Sequence, residues 1–167
     1  MKKLRNVILA VLAALILFYG ISWIPTYENA SAVWGLTFSQ YYAMEELGLD
    51  WRETYLAMLE ELKPAKVRLI AYWQYLEPQP NDLRFADLDF QVAEAARRGI
   101  PVTLAVGYRM PRWPECHWPD WVRREMSGTF RVEVKEYLTR VVEHYRDEAI
   151  IERWQVENEP LFSFFGV

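Results

Sequence analysis

The sequence is poor in the residues that bind metals or bridge segments covalently. One cysteine, Cys116, stands among 167 residues, which excludes an internal disulfide framework and a cysteine-rich zinc site. The only histidines are His117 and His144, too few for a multi-histidine metal centre, and no cofactor or metal is expected. Positive charge is in deficit: 19 Lys and Arg face 23 Asp and Glu, a net charge of −4. Nucleic acid wants a basic stripe, so no nucleic-acid partner is expected. What is abundant is apolar and aromatic. Hydrophobic residues make up 52% of the chain, with 8 Trp, 10 Tyr and 8 Phe. With charged residues at 25%, that is room for one domain with a real core and not a disordered chain. An aromatic excess fits a large core, or a cleft whose flat rings stack on a flat, partly apolar ligand.

The N-terminus reads as a separate physical object. Lys2, Lys3 and Arg5 precede an uncharged, mostly apolar run over residues 7–24. At about 1.5 Å per residue that run reaches roughly 27 Å, close to the hydrocarbon thickness of a bilayer. Tyr19, Trp23 and Tyr27 fall where an interfacial aromatic belt would lie. The basic flank, residues 1–6, is expected to stay cytoplasmic and the rest of the chain to lie outside. A membrane anchor over 7–24 is preferred. The competing reading is a signal peptide cleaved after Ala32, since Ala30-Ser31-Ala32 has the small-x-small form. Residues 25–32 would be a linker and 33–167 the domain.

Beyond the linker, strand and helix alternate. Residues 33–38 form a short β-rich run. Asp50 then caps a helix, with Glu53 three residues on and Trp51, Tyr55, Met58, Leu59 and Leu62 at helical spacing, stopped by Pro64. Residues 66–72 make a second strand, in which Val67, Leu69 and Ala71 alternate against Arg68 and Ile70. A loop over 73–86 leads to a helix over 87–98, closed by Gly99. Residues 101–107 form a nearly all-apolar strand, as expected when both faces are buried in a parallel sheet. A long loop over 108–126, rich in proline and tryptophan, precedes a helix over 129–146 and a fourth strand over 151–156. The order β-α-β-α-β-α-β implies parallel strands. Long loops after strands are how a (β/α)8 barrel places its chemistry at one end. A doubly wound sheet usually has a glycine-rich turn after its first strand; here Ser39-Gln40-Tyr41-Tyr42 follows. The expected fold is therefore α/β, the N-terminal half of a (β/α)8 barrel with about four βα units.

The chemistry gathers at the fourth strand, where Glu157-Asn158-Glu159-Pro160 follows Val156. A carboxylic acid at a barrel mouth walled by aromatics is raised in pKa by desolvation and can donate a proton near neutral pH. The bland alternative is a pair of solvated carboxylates at a loop edge. Arg68, on a strand otherwise aliphatic, needs an acidic partner if buried, and Glu159 is one candidate. Trp73 and Trp113, nearest the strand ends, are candidate sugar-stacking rings, although tryptophan is more often buried than not. Arg109 lines the cleft or pairs with a loop acid; both remain open. Glu115-Cys116-His117 mixes ligand types without a second cluster at metal spacing, and His144 is expected to be solvated.

Trp154-Gln155-Val156-Glu157-Asn158-Glu159-Pro160 resembles the Asn-Glu-Pro signature of clan A glycoside hydrolases, retaining (β/α)8-barrel enzymes that include cellulases, mannanases and β-galactosidases. The Trp34-Gly35-Leu36-Thr37-Phe38 start, Arg68, and Tyr72-Trp73 with Glu77-Pro78 also resemble that clan. The resemblance implies that Glu159 is the general acid/base, that Asn158 hydrogen-bonds the sugar 2-hydroxyl, and that Arg68 lies near the nucleophile. The nucleophile, a second Glu ending strand seven, has no counterpart in residues 1–167. The expectation is thus the N-terminal half of a retaining β-glycosidase whose partner is a carbohydrate substrate, inactive as this segment alone. Two other readings stand beside it: a membrane-tethered, non-catalytic carbohydrate-binding half-barrel, and a barrel enzyme of another reaction class with Glu159 as base.

Overall fold

A computed structural model describes residues 2–22, 32–122 and 128–160. The chain divides into two compact units, Met1–Val33 and Trp34–Val167.

The first unit carries a helix, α1 (Lys2–Ser22), whose apolar side chains, Ile16 and Phe18 among them, are exposed. Among the described residues no helix is long and apolar enough to cross a membrane. The membrane span expected over residues 7–24 therefore finds no support in its described part, residues 7–22. Trp23, Ile24 and Tyr27, most of the linker, and Ala30 and Ser31 of the cleavage motif lie outside the described residues.

The second unit is built on a parallel sheet. Its strands are β1 (Gly35–Thr37), β2 (Lys66–Ile70), β3 (Val102–Val106) and β4 (Ile151–Val156), in the spatial order β1-β2-β3-β4. An order that follows the sequence across all four strands suits a barrel wall. A doubly wound sheet reverses direction at its switch point. The helices between the strands are α2 (Trp51–Leu62), α3 (Trp73–Leu76), α4 (Ala86–Arg97) and α5 (Gly128–Tyr145). A single π-turn, Tyr42–Glu46, precedes α2.

Local chemistry sets the helix boundaries. The Asp50 carboxylate accepts from the backbone N–H groups of Arg52 and Glu53, so the expected cap is in place. Lys63 adopts a left-handed conformation (φ 44°) at the end of α2, just before Pro64. Gly99, at φ 64°, ends the turn after α4. The loop expected over 73–86 instead opens with α3: Tyr75 and Leu76 donate to the Tyr72 carbonyl and Glu77 to that of Trp73.

Alternation along the strands sorts side chains onto two faces. Val67, Leu69, Val102, Leu104 and Val106 join Tyr55, Leu59, Val92, Ala95, Tyr137 and Val141 in the main core between sheet and helices. On the opposite face Ile70, Tyr72, Ala105 and Met110 form a smaller cluster, flanked by Tyr41 and Tyr75. Arg68 pairs in register with Thr103, and Ile70 with Ala105 and then Gln155. That second face carries the sheet's inward polar groups.

Candidate active site

The site forms where β3 and β4 end. β4 stops at Val156, and two of the next three residues take left-handed backbone: Glu157 at φ 59° and Glu159 at φ 50°. Such conformations are uncommon for non-glycine residues and persist where surrounding contacts impose them. The contacts are here. The Glu157 N–H donates to the Val106 carbonyl (2.9 Å), and the Asn158 N–H to the Arg109 carbonyl (2.7 Å). The chain after β4 thus stays zipped to the chain after β3 for two further residues.

Glu157 completes the zip with its side chain. Its carboxylate accepts from the backbone N–H groups of Arg109 (2.7 Å) and Tyr108 (3.3 Å). It sits directly over Gly107, where a Cβ would lie 2.5 Å from the carboxyl carbon. Burial raises the Glu157 pKa above the usual carboxylate value, while the two backbone N–H donors and the Arg109 charge pull against it. Glu157 is therefore committed to holding backbone.

Asn158 is half-buried between two partners. Its Oδ1 accepts from Gln155 Nε2 (3.3 Å), and its Nδ2 donates to Glu115 Oε1 (3.5 Å). Glu115 is in turn paired with Arg109 (3.2 Å), both side chains largely buried. Of the two alternatives for Arg109, pairing with a loop acid is the one observed, and its guanidinium also reaches the Glu159 carbonyl (3.5 Å). The loop bearing these residues is a hairpin: Met110 donates to Glu115, His117 donates to Tyr108, and Arg109 bridges Cys116. The Glu159 residue is exposed at the end of this arrangement.

Two expectations are corrected. Arg68 does not pair with Glu159. Its Nε donates to Thr37 Oγ1 and one terminal nitrogen to Gln155 Oε1, both at 3.0 Å, because β2 aims it along the sheet face toward β1 and β4. Trp73 is not a cleft ring. It is 0% exposed, stacks on Tyr137 with ring centroids 5.0 Å apart, and donates its indole N–H to Glu77 (3.0 Å). Glu77 also takes Arg140 (2.7 Å), so this group ties α3 to α5 inside the core. Trp113, by contrast, is 70% exposed on the loop after β3. His144 is more than solvated: it stacks on Phe85 at 3.8 Å and contacts Asp89 at 2.8 Å. Among the described residues no cluster of three or more His, Cys, Asp or Glu could hold a metal ion.

The sequence points to no such roles for Gln155, Glu115, Thr37 and Gly107, and Glu115 draws attention there only beside Cys116 and His117. Gln155 left a faint signal: it is an inward-register polar residue on β4, as Arg68 is on β2. Gly107 ends an apolar strand at φ 134°, and its reason exists only in three dimensions.

No protein-family model and no curated protein matches the sequence. Solved structures do match, with glycoside hydrolases of families GH5 and GH42 among them. GH5_18 from Streptomyces cattleya, solved with GlcNAc, aligns at a TM-score of 0.57 and 19% identity over 78% of this chain and 35% of that one. An exo-β-1,4-mannosidase from an Opitutaceae bacterium aligns at 0.56 and 16% identity, over 75% and 24%. A β-galactosidase from Halorubrum lacusprofundi aligns at 0.52 and 20% identity, over 78% and 21%. The chain spans about a third or less of the length of these proteins. It has the fold of one part of their structures.

Proposed function

We propose that residues 34–160 form the acid/base side of a retaining glycoside hydrolase that cleaves β-linked sugars. The observation that carries this is the Asn158-Glu159 pair, set just past the end of the fourth consecutive strand of a parallel sheet, the end where barrel enzymes keep their chemistry. Glu159 is the group that protonates the departing glycosidic oxygen and later activates water. Asn158 meets the sugar 2-hydroxyl. Trp113, exposed on the loop after β3, offers a ring for the apolar face of a pyranose.

Retention needs two carboxyl groups about 5–5.5 Å apart. Glu157 is not the second, because its oxygens are engaged by backbone N–H groups, and Glu115 is engaged by Arg109. The nucleophile is a carboxylate outside residues 1–167, on the strand that the clan resemblance numbers seven. The segment alone is then expected to hydrolyse an aryl β-glycoside no faster than buffer.

The test is Glu159→Ala in the protein carrying all eight strands, assayed on a substrate with a poor leaving group and one with an activated leaving group. A poor leaving group needs the proton, so its kcat/KM is expected to fall on the order of 10²–10⁴-fold. An activated one needs none, and azide should restore turnover by replacing the activated water. Equal loss on both substrates, with no glycosyl azide formed, would remove Glu159 from the acid/base role.

The domain works outside the cytoplasm in this reading, which rests on the basic flank and apolar run at the N-terminus. Alkaline carbonate extraction of cell membranes decides how. Retention in the pellet means a tether, and release with a new N-terminus after Ala32 means cleavage. An intact N-terminus in the cytosolic fraction would defeat export altogether.

A further inference from the structure

The polar groups on the inward sheet face form one directed chain of hydrogen bonds, and Gln155 is its middle link. Arg68 can only donate. It gives one N–H to Thr37 on β1 and another to Gln155 Oε1 on β4, each at 3.0 Å. That contact settles which end of the Gln155 amide faces Arg68: the oxygen. The nitrogen therefore faces the other way, and its two hydrogens go to the Glu157 carbonyl and to Asn158 Oδ1, both at 3.3 Å. A nitrogen that donates to Asn158 requires the Asn158 oxygen there, so Asn158 Nδ2 is turned to the opposite side. There it meets Glu115, an acceptor held by Arg109. Either amide taken alone could be turned over. In this chain a fixed donor stands at one end and a carboxylate at the other, and only one orientation of both amides satisfies every contact.

We infer that Gln155 is a positioning residue that fixes the amide orientation of Asn158, and so decides whether the nitrogen or the oxygen of that amide meets the substrate. The inference rests on the proposed role of Asn158 at the sugar 2-hydroxyl. Gln155 also donates to the Glu157 carbonyl, but the turn that delivers Asn158 and Glu159 is held without it, by the bonds to Val106, Tyr108 and Arg109.

The experiment uses the eight-stranded protein and two substrates, a β-glycoside and its 2-deoxy analogue. Gln155→Glu keeps the side-chain volume and still accepts from Arg68, but has no hydrogen to give Asn158 Oδ1; its carboxylate repels that oxygen and leaves the Asn158 amide held only by the 3.5 Å contact to Glu115. Gln155→Met, of similar size, removes all three contacts and carries the test if the charged variant does not fold. For either, kcat/KM on the 2-hydroxy substrate is expected to fall about tenfold, the size of one well-placed hydrogen bond, with less than about twofold change on the 2-deoxy analogue. Added to Asn158→Ala, each should cost nothing further on the 2-hydroxy substrate, because both changes remove one interaction. Equal losses on the two substrates, or losses that add to those of Asn158→Ala, would overturn the inference. The premise is read separately: if Asn158→Ala by itself leaves the preference for the 2-hydroxy substrate intact, the proposed role of Asn158 fails, whatever Gln155 does.

Discussion

Single residues decide how closely β3 and β4 can finish together. Gly107 leaves the space that the Glu157 carboxyl fills, and its φ of 134° is one that residues with side chains rarely adopt. A methyl at this position would strike the carboxyl end of Glu157. That end is flexible in principle but is pinned here by the N–H groups of Tyr108 and Arg109. Gly107→Ala is therefore expected to lower unfolding stability by about 2–4 kcal/mol, combining backbone strain and overpacking. Glu157→Ala removes the object struck but not the strain. In a double-variant cycle by urea unfolding, the pair should lose less than the sum of the single losses. Strict additivity would mean that the carboxyl swings away freely and does not brace the turn.

Elements were easier to foresee than their contacts, and α2 shows why. Its start depends on a local bond that sequence spacing reveals: Asp50 accepts from Arg52 N–H at 2.8 Å and Glu53 N–H at 3.0 Å. Asp50→Ala is expected to cost about 1 kcal/mol and Asp50→Ser a few tenths, measured as shifts in the urea midpoint. Equal costs for both would show that the helix end is satisfied some other way. β2 was legible for the same reason, because alternation alone separated Val67 and Leu69 from Arg68 and Ile70; that the first pair faces the helices is seen only in the packing. β4 was legible in its extent, residues 151–156. The partner of Arg68 was not, because it depends on the register between β2 and β4 across β3, which no local pattern encodes. Trp73 failed differently. It lies next to a strand end as a cleft ring would, but α3 begins at that residue and turns the ring into the core against Tyr137. A four-residue helix is too short to leave a periodic signature.

At the scale of the whole domain, the long loop after β3 is what ties the earlier loops together. His117 is the centre of this tie. It is 2% exposed, and its ring lies 4.7 Å from the rings of both Tyr41, after β1, and Tyr72, after β2. Burial there lowers its pKa from the ordinary 6.5 to about 4, against a hydrogen bond to the Pro114 backbone that favours the charged form. The folded domain thus holds this imidazole neutral at pH values where the unfolded chain would protonate it. Between those two pKa values the unfolded state binds the extra proton, so stability rises with pH across that window. The contribution is fully present above pH 6.5 and is lost as pH falls from there toward about 4. Carboxylates add their own acid sensitivity, but a His117→Phe variant shares it. The measurement is therefore a difference: urea unfolding of both proteins at a series of pH values between 7.5 and 4. The variant packs a ring between the same two tyrosines and has nothing to protonate. Its stability is expected to fall less steeply on acidification, by up to about 1.4 kcal/mol per pH unit, the most that one proton can contribute. Parallel curves for the two proteins would show that His117 is not protonated on unfolding, and would place the acid sensitivity of the domain on its carboxylates instead.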